Sequence, residues 1–78
     1  LLVEPNKVWC KNAAALIVMI SRKTYERNNK PSPTHRYDTG AAWMSICFEG
    51  HFRGLVVHGM SGFDYEKARQ TLNVPEDY

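Results

Sequence analysis

The segment "TGAAWMSICFEGHF", Thr39 to Phe52, constrains this chain more than any other. It reads as helix, yet its apolar side chains do not form one stripe. Ala41, Met44, Ile46, Cys47, Phe48 and Phe52 spread over several faces, and Ala42 and Trp43 fill much of the remaining circumference. A helix apolar nearly all round must be covered on several sides. The chain has 78 residues, which is one small domain or part of a larger one. A chain near that size buries only about 60% of the surface its unfolded form exposes. It offers too few other elements to cover such a helix. A covering partner is therefore expected: further parts of the same chain, a second subunit, or both. Gly40 and Gly50 would let a neighbour come close, each at a cost of about 1 kcal/mol relative to Ala.

The ends of this helix carry their own signals. Ser32 followed by Pro33 predicts an N-cap and a first helical position, with Asp38 as the alternative cap. Gly54 predicts a left-handed residue just past the helix, which would end near Arg53. Apolar runs lie on either side. "AAALIVMIS", Ala13 to Ser21, shows no alternation and reads as a strand buried on both faces. "LVVHGM", Leu55 to Met60, reads as a second strand, rich in β-branched residues. From Phe63, "FDYEKARQTLNV" reads as an amphipathic helix. Asp64 is its N-cap, Glu66 suits the first turn, Tyr65, Ala68 and Leu72 share a face, and Asn73 and Pro75 end it. Residues 1–12 read as irregular, with Pro5 and Asn6 as turn formers. The polar stretch Arg22 to Thr34 reads as a loop. The expected order is strand, long helix, strand, helix.

Charge and cysteine content narrow the function classes. Ten Lys and Arg stand against eight Asp and Glu, a net +2. That is too balanced for an electrostatic nucleic-acid binder, and the basic stretch Ser21 to Lys30 reads as a solvated loop. The run "AAALIVMI" is far short of the about twenty residues that a membrane helix needs. Cys10 and Cys47 are distant in sequence, with no CxxC or Cys/His cluster. This argues against a disulfide scaffold or a zinc module. Isolated thiols without a secretory signal predict a cytoplasmic protein. The chain begins at Leu1 rather than Met and stops soon after Pro75, so a segment of a longer domain is expected.

No catalytic signature is present: no Ser/His/Asp pattern, no GxSxG, no HExxH. Cys47 and His51 are four residues apart on the long helix, but two ligands do not close a metal site. His58 reads as a hydrogen-bonded structural histidine, His35 as exposed, and Trp9 and Trp43 as core or interface anchors. What remains is "GMSGFD", Gly59 to Asp64. A strand that turns into a helix exposes backbone N–H groups, and flanking glycines let a flat or anionic ligand approach them. A tight turn would use the same residues.

Taken in order, "NKVWCKNAAALIVMIS", "YDTGAAWMSICFEGHFRGL" and "VVHGMSGFDYEKARQTLNVPEDY" resemble the nitroreductase family of FMN-dependent oxidoreductases, over nearly the whole chain. The resemblance implies an α+β fold of three layers, a mostly antiparallel sheet flanked by helices. Residues 1–78 would form the middle and later part of one FMN-binding domain, with its N- and C-terminal portions lying outside them. Gly59, Met60, Ser61 and Gly62 would face the isoalloxazine ring. The N–H of Ser61 or Gly62 would meet N5 and O4, and Met60 would pack on the ring. Hydride would pass from NAD(P)H through FMN to a nitroaromatic, quinone or similar acceptor, with no catalytic side chain required. A homodimer would form through the long helix at Trp43, Cys47 and Phe48, with neither nucleic acid nor membrane as partner. The family's Arg/Ser segment and basic C-terminus, which hold the FMN phosphate, have no counterpart here. That leaves a second expectation, a nitroreductase-like dimerisation or binding module without flavin.

Overall fold

The computed structural model describes residues 1–78 and contains three helices: α1 (Glu4–Cys10), α2 (His35–Phe52) and α3 (Tyr65–Thr71). It has no sheet. The expected α+β architecture, with its mostly antiparallel sheet and strand–helix–strand–helix order, is corrected by this finding. Neither Ala13–Ser21 nor Leu55–Met60 forms a strand. The β pairings are single bridges, Leu2 with Phe63 and Thr24 with Pro31. The reason is that a strand exists through its ladder. One buried on both faces also needs neighbours on each edge and a layer on each side. Two apolar runs supply neither, and the first stands largely exposed, Ile17 at 69%. The tendency of Val and Ile toward strands describes fit to a pleated, half-buried surface, and here no such surface is present.

The chain divides into two units. The first comprises Leu1–Val18 and Met60–Glu76. Its α1 falls in the segment expected to be irregular. Pro5 lies in the first turn of α1, where a missing N–H costs nothing, so it starts a helix rather than a turn. The Cys10 thiol donates to the Asn6 carbonyl at 2.7 Å and is 2% exposed. Helix α3 matches expectation at both ends. The Asp64 carboxylate accepts from the Lys67 N–H at 2.9 Å. Asn73 takes the left-handed conformation at φ 52°. Its N–H donates to the Gln70 carbonyl, and the Val74 N–H donates to that of Arg69. Those two bonds are the Schellman closure, with Asn in the place of Gly. Ala68 is buried, whereas Tyr65 and Leu72, expected beside it on the buried face, are exposed. Two backbone bonds tie the start of the chain to the start of α3: Asp64 N–H to the Leu1 carbonyl at 2.7 Å, and Val3 N–H to the Gly62 carbonyl at 3.3 Å.

The second unit comprises Met19–Gly59 and Asp77–Tyr78. Its loop is pinned by Lys23 N–H to the Asp77 carbonyl and by Arg22 Nε to Asp77 Oδ2 at 3.0 Å. Helix α2 starts at His35 with Thr34 as N-cap, later than the Ser32–Pro33 signal predicts. Ser32 is instead buried in the loop. Its N–H donates to the Lys23 carbonyl, and its own carbonyl accepts from the His35 N–H. The far end of α2 follows the prediction. Gly54 has φ 73°, its N–H donates to His51, and the Leu55 N–H donates to Gly50 at 2.8 Å. The chain then returns along α2. A Cβ added to Gly50 would collide with Val57, and one added to Gly59 would stand 2.8 Å from the Trp43 indole. One glycine on the helix admits a strap side chain, and one glycine on the strap admits a helix side chain.

Helix α2 remains largely uncovered, with Tyr37, Phe48 and Phe52 at 80%, 58% and 79% exposure. No helix is long and apolar enough to cross a membrane.

Candidate functional site

The four residues expected to face a flavin fall on both sides of the division between units. Gly59 belongs to the α2 unit, and Met60, Ser61 and Gly62 to the other. Neither Gly59 nor Gly62 adopts a positive φ. Glycine is therefore needed here for space rather than for an unusual backbone conformation. At Gly59 that space is taken by Trp43. At Gly62 a Cβ would lie 2.5 Å from Asn6 Nδ2 and 3.1 Å from Val3 Cγ2. Asn6 Nδ2 also donates to the Gly62 carbonyl at 2.9 Å. Both glycines thus admit side chains of this chain itself, a use that the sequence pattern did not disclose.

The carbonyls of Ser61 and Gly62 are engaged. The Ser61 carbonyl accepts from the Phe63 N–H and from the Tyr65 hydroxyl, each at 3.0 Å. The Phe63 and Tyr65 rings lie beside one another, centroids 4.3 Å apart. The N–H groups are not engaged: those of Gly59, Met60, Ser61 and Gly62 donate to no protein group. Ser61 is exposed and Met60 half-buried. Unpaired backbone donors such as those of Ser61 and Gly62 can meet acceptor atoms on the edge of a flat heterocycle.

The remaining candidates do not converge with the turn. Cys47 is a half-buried free thiol and Cys10 a buried one. His51 is exposed, its ring tilted toward that of its neighbour Phe52. No three His, Cys, Asp or Glu side chains come together as a metal site. His35, expected to be exposed, is half-buried, and its Nδ1 pairs with Ser21 Oγ at 2.8 Å. Only folding of the intervening loop makes that pair, so no local pattern announces it. No carboxylate bonds the His35 ring, and the pair ties the loop to the start of α2. Trp9 is 44% exposed and Trp43 36% exposed. No family model matches the sequence, and no characterised protein or solved structure is significantly similar to it.

Proposed function

We propose that the chain is part of a nitroreductase-like flavoprotein that passes hydride from NAD(P)H through FMN to a nitroaromatic, quinone or similar acceptor in the cytoplasm. One observation carries the reading. The N–H groups of Met60, Ser61 and Gly62 are unpaired in the very segment where the ordered resemblance puts the flavin ring. Donors aimed at N5 and O4 favour the charge that the ring gains on reduction. FMN, when bound, supplies the hydride chemistry. The chain's own task is to orient the ring edge through the Ser61 and Gly62 amides and to pack Met60 against its face. No side chain need act as acid or base. The sheet of the expected fold forms no part of this reading. A second copy covering Trp43, Cys47 and Phe48 of α2 would complete the assembly.

The competing reading is a binding or dimerisation module without flavin. It is favoured by Gly59 and Gly62, whose open sides are already filled by Trp43 and Asn6. Titration of the purified protein with FMN separates the two. Saturable uptake with a perturbed flavin absorption band, followed by NAD(P)H oxidation with a quinone or nitroaromatic, is expected. A protein that takes up no FMN would leave the binding module standing. Ser61→Pro removes one donor and Ser61→Ala keeps it. Loss of one such hydrogen bond should weaken FMN binding about tenfold for Pro, with Ala near wild type.

A further inference from the structure

The cations of this chain are not spread evenly. From Arg22 to Arg36 stand five Lys and Arg, namely Arg22, Lys23, Arg27, Lys30 and Arg36, against one acid, Glu26. Over the rest of the chain five cations face seven acids, so the near balance of the whole hides a basic segment. That segment is folded back on itself within the α2 unit. Thr24 and Pro31 form an antiparallel bridge. The Tyr25 N–H donates to the Lys30 carbonyl and the Ser32 N–H to the Lys23 carbonyl, each at 2.8 Å. Asn29, at φ 55°, closes the tip with its N–H on the Tyr25 carbonyl at 2.8 Å. The stem is held by the Arg22–Asp77 ion pair and by the Ser21–His35 bond. Residues 25–30 are all exposed. The Arg27 guanidinium lies over the Tyr25 ring, 5.3 Å from its centroid. Neither Arg27 nor Lys30 pairs with a carboxylate. The side-chain oxygens of Asn28 and Asn29 accept from the Lys30 N–H and from Arg22 Nη2, which leaves both amide NH2 groups as free donors.

We propose that this loop tip is a contact site for single-stranded nucleic acid. The Tyr25 ring and the Arg27 guanidinium offer flat faces on which an unstacked base can lie, while Arg27 and Lys30 meet phosphates. The free amide donors suit base and phosphate oxygens. Other polyanions use these groups less fully. An acidic peptide would use the cations but not the flat faces. An anionic membrane calls for apolar side chains to insert, and residues 22–34 contain no Leu, Ile, Val, Met, Phe or Trp. Duplex bases are stacked on one another and present no face to Tyr25 or Arg27. The hydrogen-bonded stem holds the tip before binding, which lowers the cost of ordering it. This replaces the expectation, drawn from overall charge balance, of a chain without a nucleic-acid partner. It stands apart from the flavin reading and does not depend on it.

The test is fluorescence anisotropy of labelled uridylate and thymidylate oligomers of about 12 nucleotides, titrated with the full chain. Saturable binding of either supports the proposal, and the tighter of the two names the strand. Affinity should fall with salt at a log–log slope of about −1.4, from the two free cations Arg27 and Lys30. Tyr25→Ala should weaken binding about tenfold and leave that slope in place. Arg27→Lys keeps the charge but loses the flat face, so it should also weaken binding without changing the slope. Lys30→Ala should reduce the slope by about 0.7. Helicity by circular dichroism should be the same in all three variants, since none lies on a helix. If Tyr25→Ala disturbs the loop, Arg27→Lys decides, because it preserves both ring and charge. Absence of saturable binding to either single strand would overturn the proposal. So would binding that Tyr25→Ala and Arg27→Lys both leave at wild-type strength, which is how a plain polyanion contact behaves. Equal competition by polyglutamate would give the tip to an acidic peptide. Tighter binding to a duplex of the same length, or to phosphatidylserine vesicles, would give it to that ligand instead. Each of these three results overturns the proposal.

Discussion

Gly40, Gly50 and Gly54 belong to one helix and its cap, yet they respond to different physics. Gly40 has open space where a Cβ would go, so Gly40→Ala should gain the helix preference of Ala, about 1 kcal/mol in urea unfolding. Gly50 has the same preference against it, but Val57 occupies the space. A β-branched side chain has little rotamer freedom to give way. Gly50→Ala should therefore destabilise by about 1–2 kcal/mol in spite of helix propensity, and Val57→Ala in the same chain should reverse the sign. Equal effects at positions 40 and 50 would show that Val57 does not seat on the helix. Gly54 is constrained by its φ of 73° rather than by any neighbour. From sequence, Gly40 and Gly50 look alike, because what distinguishes them is a residue that arrives only after the chain has reversed.

Among the elements, α3 shows how much capping can do. It has seven residues, too few to be stable alone, since isolated helices below about 12–15 residues are marginal in water. Its ends are therefore decisive. Asp64→Ala should cost about 1 kcal/mol by removing the bond to the Lys67 N–H. At the other end, Asn73→Ala should cost about 1 kcal/mol and Asn73→Gly should not, because the position has φ 52°. Thermal unfolding followed at the helix signal checks all three. Both ends were legible because a cap is written within four residues of the groups it satisfies. The start of α2 was less so. Ser32 carries the right side chain for a cap, but the loop draws its backbone toward Lys23, and the helix begins after Thr34. Helix α1 was missed because Pro5 suits both a turn and a first helical turn, and α1 is too short to show a periodic face.

For the whole molecule the controlling fact is uncovered apolar surface. Trp43, Met44, Ile46, Phe48 and Phe52 on α2, and Leu16, Ile17, Val18 and Ile20 before it, are all exposed by a third or more. On α2 alone, so many exposed large apolar side chains mark a helix that a partner would cover. On the homodimer reading, light scattering should report twice the chain mass, and Phe48→Glu should halve it by placing a charge in an apolar contact. A wild-type monomer would remove the dimer from the proposed function while leaving the FMN titration to stand or fall separately.

Sequence by itself determined the helical character of residues 35–52, the glycine that ends that helix, both caps of α3 and the apolar excess of α2. All of these are set by side chains acting on backbone groups within a turn or two, or by composition. Tertiary structure alone decided that the apolar runs at 13–21 and 55–60 are not strands, because a ladder depends on what lies beside a chain rather than on what it contains. It alone decided the use of the glycines at 50, 59 and 62, which admit Val57, Trp43 and Asn6 across gaps of sequence that no local pattern spans. The unpaired donors of Met60, Ser61 and Gly62 belong to both levels. A glycine-flanked turn suggested them, and the fold left them without an acceptor.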